Sequence, residues 1–291
     1  MAKHILVTGA TGQQGGAVVD ALLAKGHHVR GLTRRVDSPA AKALADRGVE
    51  LAAGDFNHPE ALRQAATGVD AIFAMTTPFE AGMEAETAQG IAAIQAAKDA
   101  GVKHFVYSSV SDADRATGIP HFDSKYKVEE ALAASGLRYS IVAPVFFMDN
   151  LLAPWMLPQL AQGALSLAMP GERVLQHVSV RNIGQFAAAV IERGDALHGQ
   201  RFNLAGDALS GEAAAQVVSE AAGRPIAYQG FPPAAMREQS EDMALMFEWF
   251  DAVGYSADIA KLRADFPEVS WQTFAEWAGE QDWASLLAVP A

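Results

Sequence analysis

Gly9, Gly12 and Gly15 recur at every third position in Thr8-Gly9-Ala10-Thr11-Gly12-Gln13-Gln14-Gly15-Gly16. The short apolar run Ile5-Leu6-Val7 precedes them, and a stretch of helical period, Gly16-Ala17-Val18-Val19-Asp20-Ala21-Leu22-Leu23, follows. A glycine triplet alone is weak evidence; between a strand and a helix it has the form of a dinucleotide-binding loop. Gly9 permits the tight turn, Gly12 lets the backbone approach a pyrophosphate, and Gly15 lets the helix pack close on the strand. The N–H groups and positive end of that helix then meet the phosphates. Thr11, Gln13 and Gln14 lie in the same loop and are expected beside them. The bland alternative is a glycine-rich turn with no ligand.

The second apolar run bears on which dinucleotide is held. A binder of NAD usually places Asp or Glu against the ribose diol about twenty residues past the loop. Here His28-Val29-Arg30-Gly31-Leu32-Thr33 ends in Arg34-Arg35. A carboxylate would repel a 2′-phosphate, whereas a guanidinium offers it planar, charge-assisted donors. The expectation is therefore NADP(H), with NAD(H) less favoured, Arg34 the first phosphate ligand and Arg35 its support. Two solvated arginines opening a helix are the competing reading. After the third run, Gly54-Asp55-Phe56 is placed to bracket an adenine, although Asp55 equally suits a helix cap. Thr76 and Thr77, in Met75-Thr76-Thr77-Pro78, follow the fourth run and are expected near ribose or phosphate.

These residues need a frame to bring them together. Apolar, β-branched runs at about 4–8, 28–33, 49–53, 69–75, 103–108 and 138–143 alternate with alanine-rich stretches of helical period. That rhythm predicts an α/β fold, a Rossmann-type doubly wound parallel sheet with right-handed crossovers. The rhythm changes after Pro144, where Pro154, Trp155, Pro158 and Pro170 enter. Residues 1–150 are read as an NAD(P)-binding domain and 151–291 as a smaller α+β substrate-side domain. Segments within 173–206, near 173–180 and 201–204, are candidates for return to the main sheet. The 291 residues carry a net charge of −12, spread along the chain, which disfavours direct binding to nucleic acid or to an anionic membrane. With no cysteine, disulfides, thiolate metal sites and cysteine nucleophiles are excluded. The eight histidines form no HExxH pair, and no Gly-x-Ser-x-Gly elbow exists. The apolar run at the N-terminus is too short for a signal peptide or a membrane span, so the expected location is cytoplasmic.

The fifth run, ending Tyr107-Ser108-Ser109, is followed by His121-Phe122-Asp123-Ser124-Lys125-Tyr126-Lys127-Val128-Glu129-Glu130. Together with the glycine loop, this arrangement resembles the NmrA-like family, an atypical branch of the short-chain dehydrogenase/reductase superfamily. Phe147-Met148-Asp149-Asn150-Leu151-Leu152, Val178-Ser179-Val180-Arg181-Asn182-Ile183-Gly184 and Met246-Phe247-Glu248-Trp249-Phe250 extend the resemblance over almost the whole chain. Ordinary members use Tyr-x-x-x-Lys, with tyrosine as the acid/base and lysine on the nicotinamide ribose. The resemblance puts His121 at the tyrosine position and Lys125 at the lysine position. Histidine can donate a proton near neutral pH, though His121 as a mere border of the cleft stays open. Tyr126 is a poor substitute, because helical neighbours point about 100° apart. Ser108 and Ser109 fall near the superfamily's active serine. Pro144, Phe146 and Phe147, after the sixth run, complete the expected cofactor surface, while Trp249, Trp271, Trp277 and Trp283 read most simply as core or pocket aromatics.

Two functions follow from the resemblance. One is an NADPH-dependent reductase of a small apolar electrophile such as a quinone, enone or aldehyde. The other is a non-catalytic NADP(H) redox sensor acting through a regulatory protein partner. An isomerase using tightly held NAD is the weakest alternative. Homodimerisation stays open.

Overall fold

The structure, a computed structural model, describes residues 1–288. All six expected strands form: β1 (His4–Val7), β2 (His28–Thr33), β3 (Glu50–Ala53), β4 (Ala71–Met75), β5 (His104–Ser108) and β6 (Tyr139–Pro144). Between them run α1 (Gln13–Ala24), α2 (Pro39–Asp46), α3 (Pro59–Ala66), α4 (Met83–Asp99) and α5 (Pro120–Ala134). The later elements are β7 (Phe146–Phe147), α6 (Leu157–Ala161), β8 (Ala164–Leu167), β9 (Val174–Val178), α7 (Val180–Arg193), β10 (Gln200–Leu204), β11 (Asp207–Ser210), α8 (Gly211–Ala222), β12 (Ala227–Gly230) and α9 (Glu241–Ala252).

The main sheet has seven parallel strands in the order β10-β6-β5-β4-β1-β2-β3. Its central strands are apolar on both faces because helices cover both. Val18, Val19 and Leu22 of α1 pack with Ile183, Phe186 and Val190 of α7 on one face. Leu62, Ile94, Val128 and Leu132, from α3, α4 and α5, pack on the other. Burial of such side chains, at about 25 cal/mol per Å² of apolar surface, is what holds the layers together. The strand order reverses between β1 and β4, which are paired through Ile5–Ala71 and Val7–Phe73. The crevice beyond their carboxyl ends is where ligands sit in such sheets.

Of the two candidate returning segments, one joins the main sheet. Strand β10 lies along β6, with Gln200 opposite Ser140 and Leu204 opposite Pro144. The other does not: β9 pairs antiparallel with β11 and parallel with β7 in a separate three-stranded sheet. The physical reason is that β10 occupies the place beside β6, so β9 finds its partner in Phe146–Phe147, just past the end of β6. The main sheet and its helices thus draw on Val180–Leu204 and are not confined to the first 150 residues. A third apolar core, containing Met148, Leu160, Leu175, Val218, Phe250, Phe274 and Trp277, lies under the C-terminal elements and reaches Ile119 and Phe122 of the main unit. No described helix is long and apolar enough to cross a membrane.

Candidate functional site

At the switch point, the chain leaves β1 through Thr8, whose hydroxyl accepts from Met75 N at 2.9 Å and donates to Met75 O at 3.1 Å, tying the ends of β1 and β4 together. Gly9 then turns with φ +62°, and a Cβ there would lie 2.6 Å from Met75 Sδ. At Gly15 a Cβ would lie 2.2 Å from Gly9 O, so only glycine lets α1 start this close to the strand. Gly12 precedes the helix in extended conformation and supplies no side-chain cap. The first-turn N–H groups of Gln13, Gln14 and Gly15 therefore have no partner within the helix, and no acidic side chain sits beside them. Gln14 is turned inward: its Nε2 donates to Ser108 Oγ at 2.6 Å, which leaves its backbone N–H as what it can offer an anion.

A cavity of about 660 Å³ opens beside this loop. Gly9 and Thr11 line it from the loop, Arg34 and Arg35 from the end of β2, Asp55 and Phe56 from beyond β3, and Thr76 and Thr77 from beyond β4. The Arg34 guanidinium forks onto Glu80, with Nη1–Oε2 at 2.9 Å and Nη2–Oε1 at 3.3 Å. Asp55 does not cap α3: its Oδ1 accepts from Asn57 N at 2.8 Å and meets His58 Nδ1 at 2.7 Å. Although its slight burial acts the other way, these contacts hold the Asp55 carboxyl below its ordinary value. A larger concavity, about 980 Å³, lies at the opposite, amino ends of the strands around Lys3, Asp70 and Lys103, away from the glycine loop.

The expected catalytic residues sit at the other end of the crevice and do not line this cavity. Pro120 opens α5, and His121 follows in its first turn, almost fully buried. Its backbone N–H, one of the unpaired donors of that helix end, donates to Asp242 Oδ1 at 2.9 Å. Its ring Nδ1 lies 2.7 Å from Asp242 Oδ2, out of line for an aligned hydrogen bond but close enough for an ion pair. One carboxylate, from the first turn of α9, thus caps α5 and holds the imidazole. Burial would raise the Asp242 pKa; the bonds and charge of His121 outweigh it and pull the carboxyl below its usual range. Phe79 stands 6.1 Å from the His121 ring, centroid to centroid, and Phe122 packs edge-on at 4.8 Å.

One turn on, Lys125 Nζ donates to Thr76 O at 3.0 Å and to Glu86 Oε1 at 2.7 Å. Glu86, completely buried on α4, also takes bonds from Ser124 Oγ at 2.5 Å and Thr76 Oγ1 at 3.2 Å. Thr76 Oγ1 in turn meets Tyr107 OH at 3.1 Å, and burial drives that phenol far above its ordinary pKa. The Thr76 hydroxyl is therefore engaged in a buried network, and its carbonyl is what touches Lys125. Ser109 donates to Glu129, so it and Ser108 both serve buried polar contacts. Pro144 is buried at the end of β6; Phe146 is buried edge-on to His177 at 5.8 Å, and Phe147 packs against the main core. Trp277 and Trp283 are buried core residues, while Trp249 is partly buried against Phe122 and Tyr255. Among the described residues, no group of histidines and carboxylates could hold a metal ion.

The sequence pattern of the NmrA-like family matches residues 1–278. The chain belongs to the NmrA-like family. An NAD(P)H azoreductase of Xenophilus azovorans is 36% identical over 232 residues, which cover 77% of this chain and 76% of that protein. This NmrA-like chain also superposes on the NADPH-dependent quinone oxidoreductase of Escherichia coli complexed with NADPH, with a TM-score of 0.78 and 26% identity over 94% of this chain and 98% of the other. The triphenylmethane reductase of Citrobacter sp. complexed with NADP(H) gives a TM-score of 0.78 and 25% identity, over 96% of this chain and 99% of that one.

Glu80, Glu86 and Asp242 were missed by sequence reasoning. Asp242 carries a faint signal, since Ser240-Glu241-Asp242 reads as the acidic first turn of a helix. Glu86 carries none: a glutamate on a helix is ordinarily solvent-facing.

Proposed function

We propose that this NmrA-like protein is an NADPH-dependent reductase of a small apolar electrophile, a quinone, enone or aldehyde. The observation that carries the reading is the buried His121–Asp242 pair standing one helical turn before Lys125 at the crevice. The glycine cradle fits a dinucleotide, since Gly9 and Gly15 hold the loop in a turn and a helix–strand contact that a Cβ would block, and the free N–H groups of α1 suit a pyrophosphate. Arg34 and Arg35 are the ligands for a 2′-phosphate, and Asp55 and Phe56 flank the adenine side. Thr11 and Thr77 complete the polar lining, and Gln13 offers its backbone N–H at the start of α1.

Bound NADPH supplies the hydride, and the protein's own task is to position the acceptor and deliver one proton. With Nδ1 held beside Asp242, the His121 ring presents Nε2 as the proton donor to the developing oxyanion. Solvent then reprotonates it. Lys125 has three donors, of which Thr76 O and Glu86 take two; the third is left for a ribose hydroxyl. Its charge is already compensated by Glu86, so we assign Lys125 to holding the ribose.

The test is NADPH oxidation against a panel of quinones, enones and aldehydes, with product quantified. The expected outcome is consumption of one NADPH per molecule of reduced product by at least one class. If no electrophile is reduced faster than in buffer containing NADPH alone, the reductase reading falls and the redox-sensor reading replaces it.

A further inference from the structure

The Arg34–Glu80 pair bears on cofactor choice. Arg34 follows β2 directly and lines the cavity, and Glu80 lines the same cavity from the connection between β4 and α4. The two meet fork to fork, both guanidinium nitrogens facing both carboxylate oxygens at 2.9 and 3.3 Å. That bidentate arrangement is also how a guanidinium takes a phosphate. Glu80 therefore occupies the donors that a 2′-phosphate needs, with a charge of the same sign.

We infer that Glu80 is a specificity-determining residue, a built-in competitor that weakens the preference for NADPH over NADH. The inference rests on the assignment of Arg34 to the 2′-phosphate. A 2′-phosphate must displace Glu80 from Arg34 and then stand near its carboxylate. A ribose 2′-hydroxyl meets neither cost, and a carboxylate is the group that NAD binders use to accept from that hydroxyl. The pair is open to water, at 67% and 60% side-chain exposure, so the competition is moderate rather than prohibitive.

Glu80→Gln removes the charge while keeping the shape of an exposed loop residue. Binding of NADPH and NADH, and of adenosine 2′,5′-bisphosphate and 5′-AMP as probes without nicotinamide, is measured by calorimetry at low salt. Glu84→Gln, an exposed neighbour on α4, serves as the control for overall charge. We expect Glu80→Gln to tighten NADPH and the 2′,5′-bisphosphate by about two- to fivefold, the size of an exposed ion pair, while NADH and 5′-AMP are not tightened. A change below twofold for NADPH, equal tightening of NADH, or the same shift in Glu84→Gln overturns the inference. Arg34→Ala in parallel separates the two claims. If it weakens NADPH selectively and Glu80→Gln does nothing, only the role of Glu80 is lost; if Arg34→Ala is without selective effect, the phosphate assignment fails and this inference with it.

Discussion

The two ends of the crevice are built on opposite principles. At the end around Arg34, that residue, Glu80 and Asp55 belong to exposed or half-exposed loops, and their contacts can be exchanged for a ligand's without unfolding anything. At the end around Lys125, His121, Glu86 and Ser124 are buried, and each polar group is tied to a partner from a different element. Exposed charges are tuned at little cost, and they trade water for ligand. Buried charges must be satisfied before any ligand arrives, so their first role is structural and any chemistry is laid over it.

The sharpest way to break this comparison is Lys125→Met. Removing one partner of a buried ion pair leaves Glu86 uncompensated, which costs about 3–5 kcal/mol. Denaturant unfolding should show that loss, and the double variant Lys125→Met with Glu86→Gln should recover much of it. NADPH binding should stay impaired in both, because the third ammonium donor is gone. Full stability in the single variant would mean that the network is not coupled as described.

A second test also probes the buried end. His177 packs between Phe146 and Phe274 with its Nδ1 unpartnered, and burial pushes its pKa down from 6.5 to about 4. Above pH 6.5 the folded and unfolded chains are both neutral at this residue. Between pH 6.5 and 4 the unfolded chain takes up the proton and the folded one does not, so stability falls with pH across that window and no further below it. At about 1.4 kcal/mol per unit the loss is about 3 kcal/mol. His104, pushed down to about 4 by burial, adds in the same direction. Stability against pH in His177→Leu should show a flatter slope than the parent; an identical slope would assign the acid sensitivity elsewhere.

How far the sequence carried follows the same division. Ile5-Leu6-Val7, the glycine loop and Arg34-Arg35 declare themselves because strand, turn and cavity-lining residues are contiguous, and local chemistry suffices to read them. The parallel sheet was equally legible, since continuous apolar strands alternating with helices have few other arrangements. The partner of Lys125 lies 39 residues away, and that of His121 lies 121 residues away. Such pairs arise from the packing of whole helices, about which periodicity is silent. The short apolar run of β9 is likewise the same in sequence whether it joins the main sheet or a small one. What decides is the competition for the place beside β6.

His121→Phe sharpens the comparison from the chemical side. If His121 donates the proton, turnover should fall by about a hundredfold while NADPH affinity is nearly unchanged. Asp242→Asn should lower turnover less, because the ring loses the carboxylate that holds it while the cap on α5 is kept. Steady-state rates with the best electrophile of the panel, together with NADPH titration, check both. Unaltered turnover in His121→Phe removes the imidazole from the mechanism and leaves Lys125 or a water as the acid.

A smaller effect is expected at Arg34, and the reason lies in its exposure. A charge-assisted contact to phosphate is ordinarily worth about 1.5–3 kcal/mol, or about ten- to a hundredfold in affinity. Arg34 must first leave Glu80, and at 67% side-chain exposure its field is largely screened. Arg34→Ala should therefore weaken NADPH near the lower bound, about tenfold, and NADH hardly at all; Arg35→Ala should do less. The selectivity should shrink further as salt rises from 50 to 500 mM, values chosen because the Debye length falls from about 14 to about 4 Å between them. The buried end should behave otherwise, with the turnover defect of His121→Phe insensitive to the same salt. Calorimetric titration at both salt concentrations reads the first, and initial rates the second. Equal salt sensitivity at the two ends would remove the distinction between an exchangeable and a locked half of the crevice.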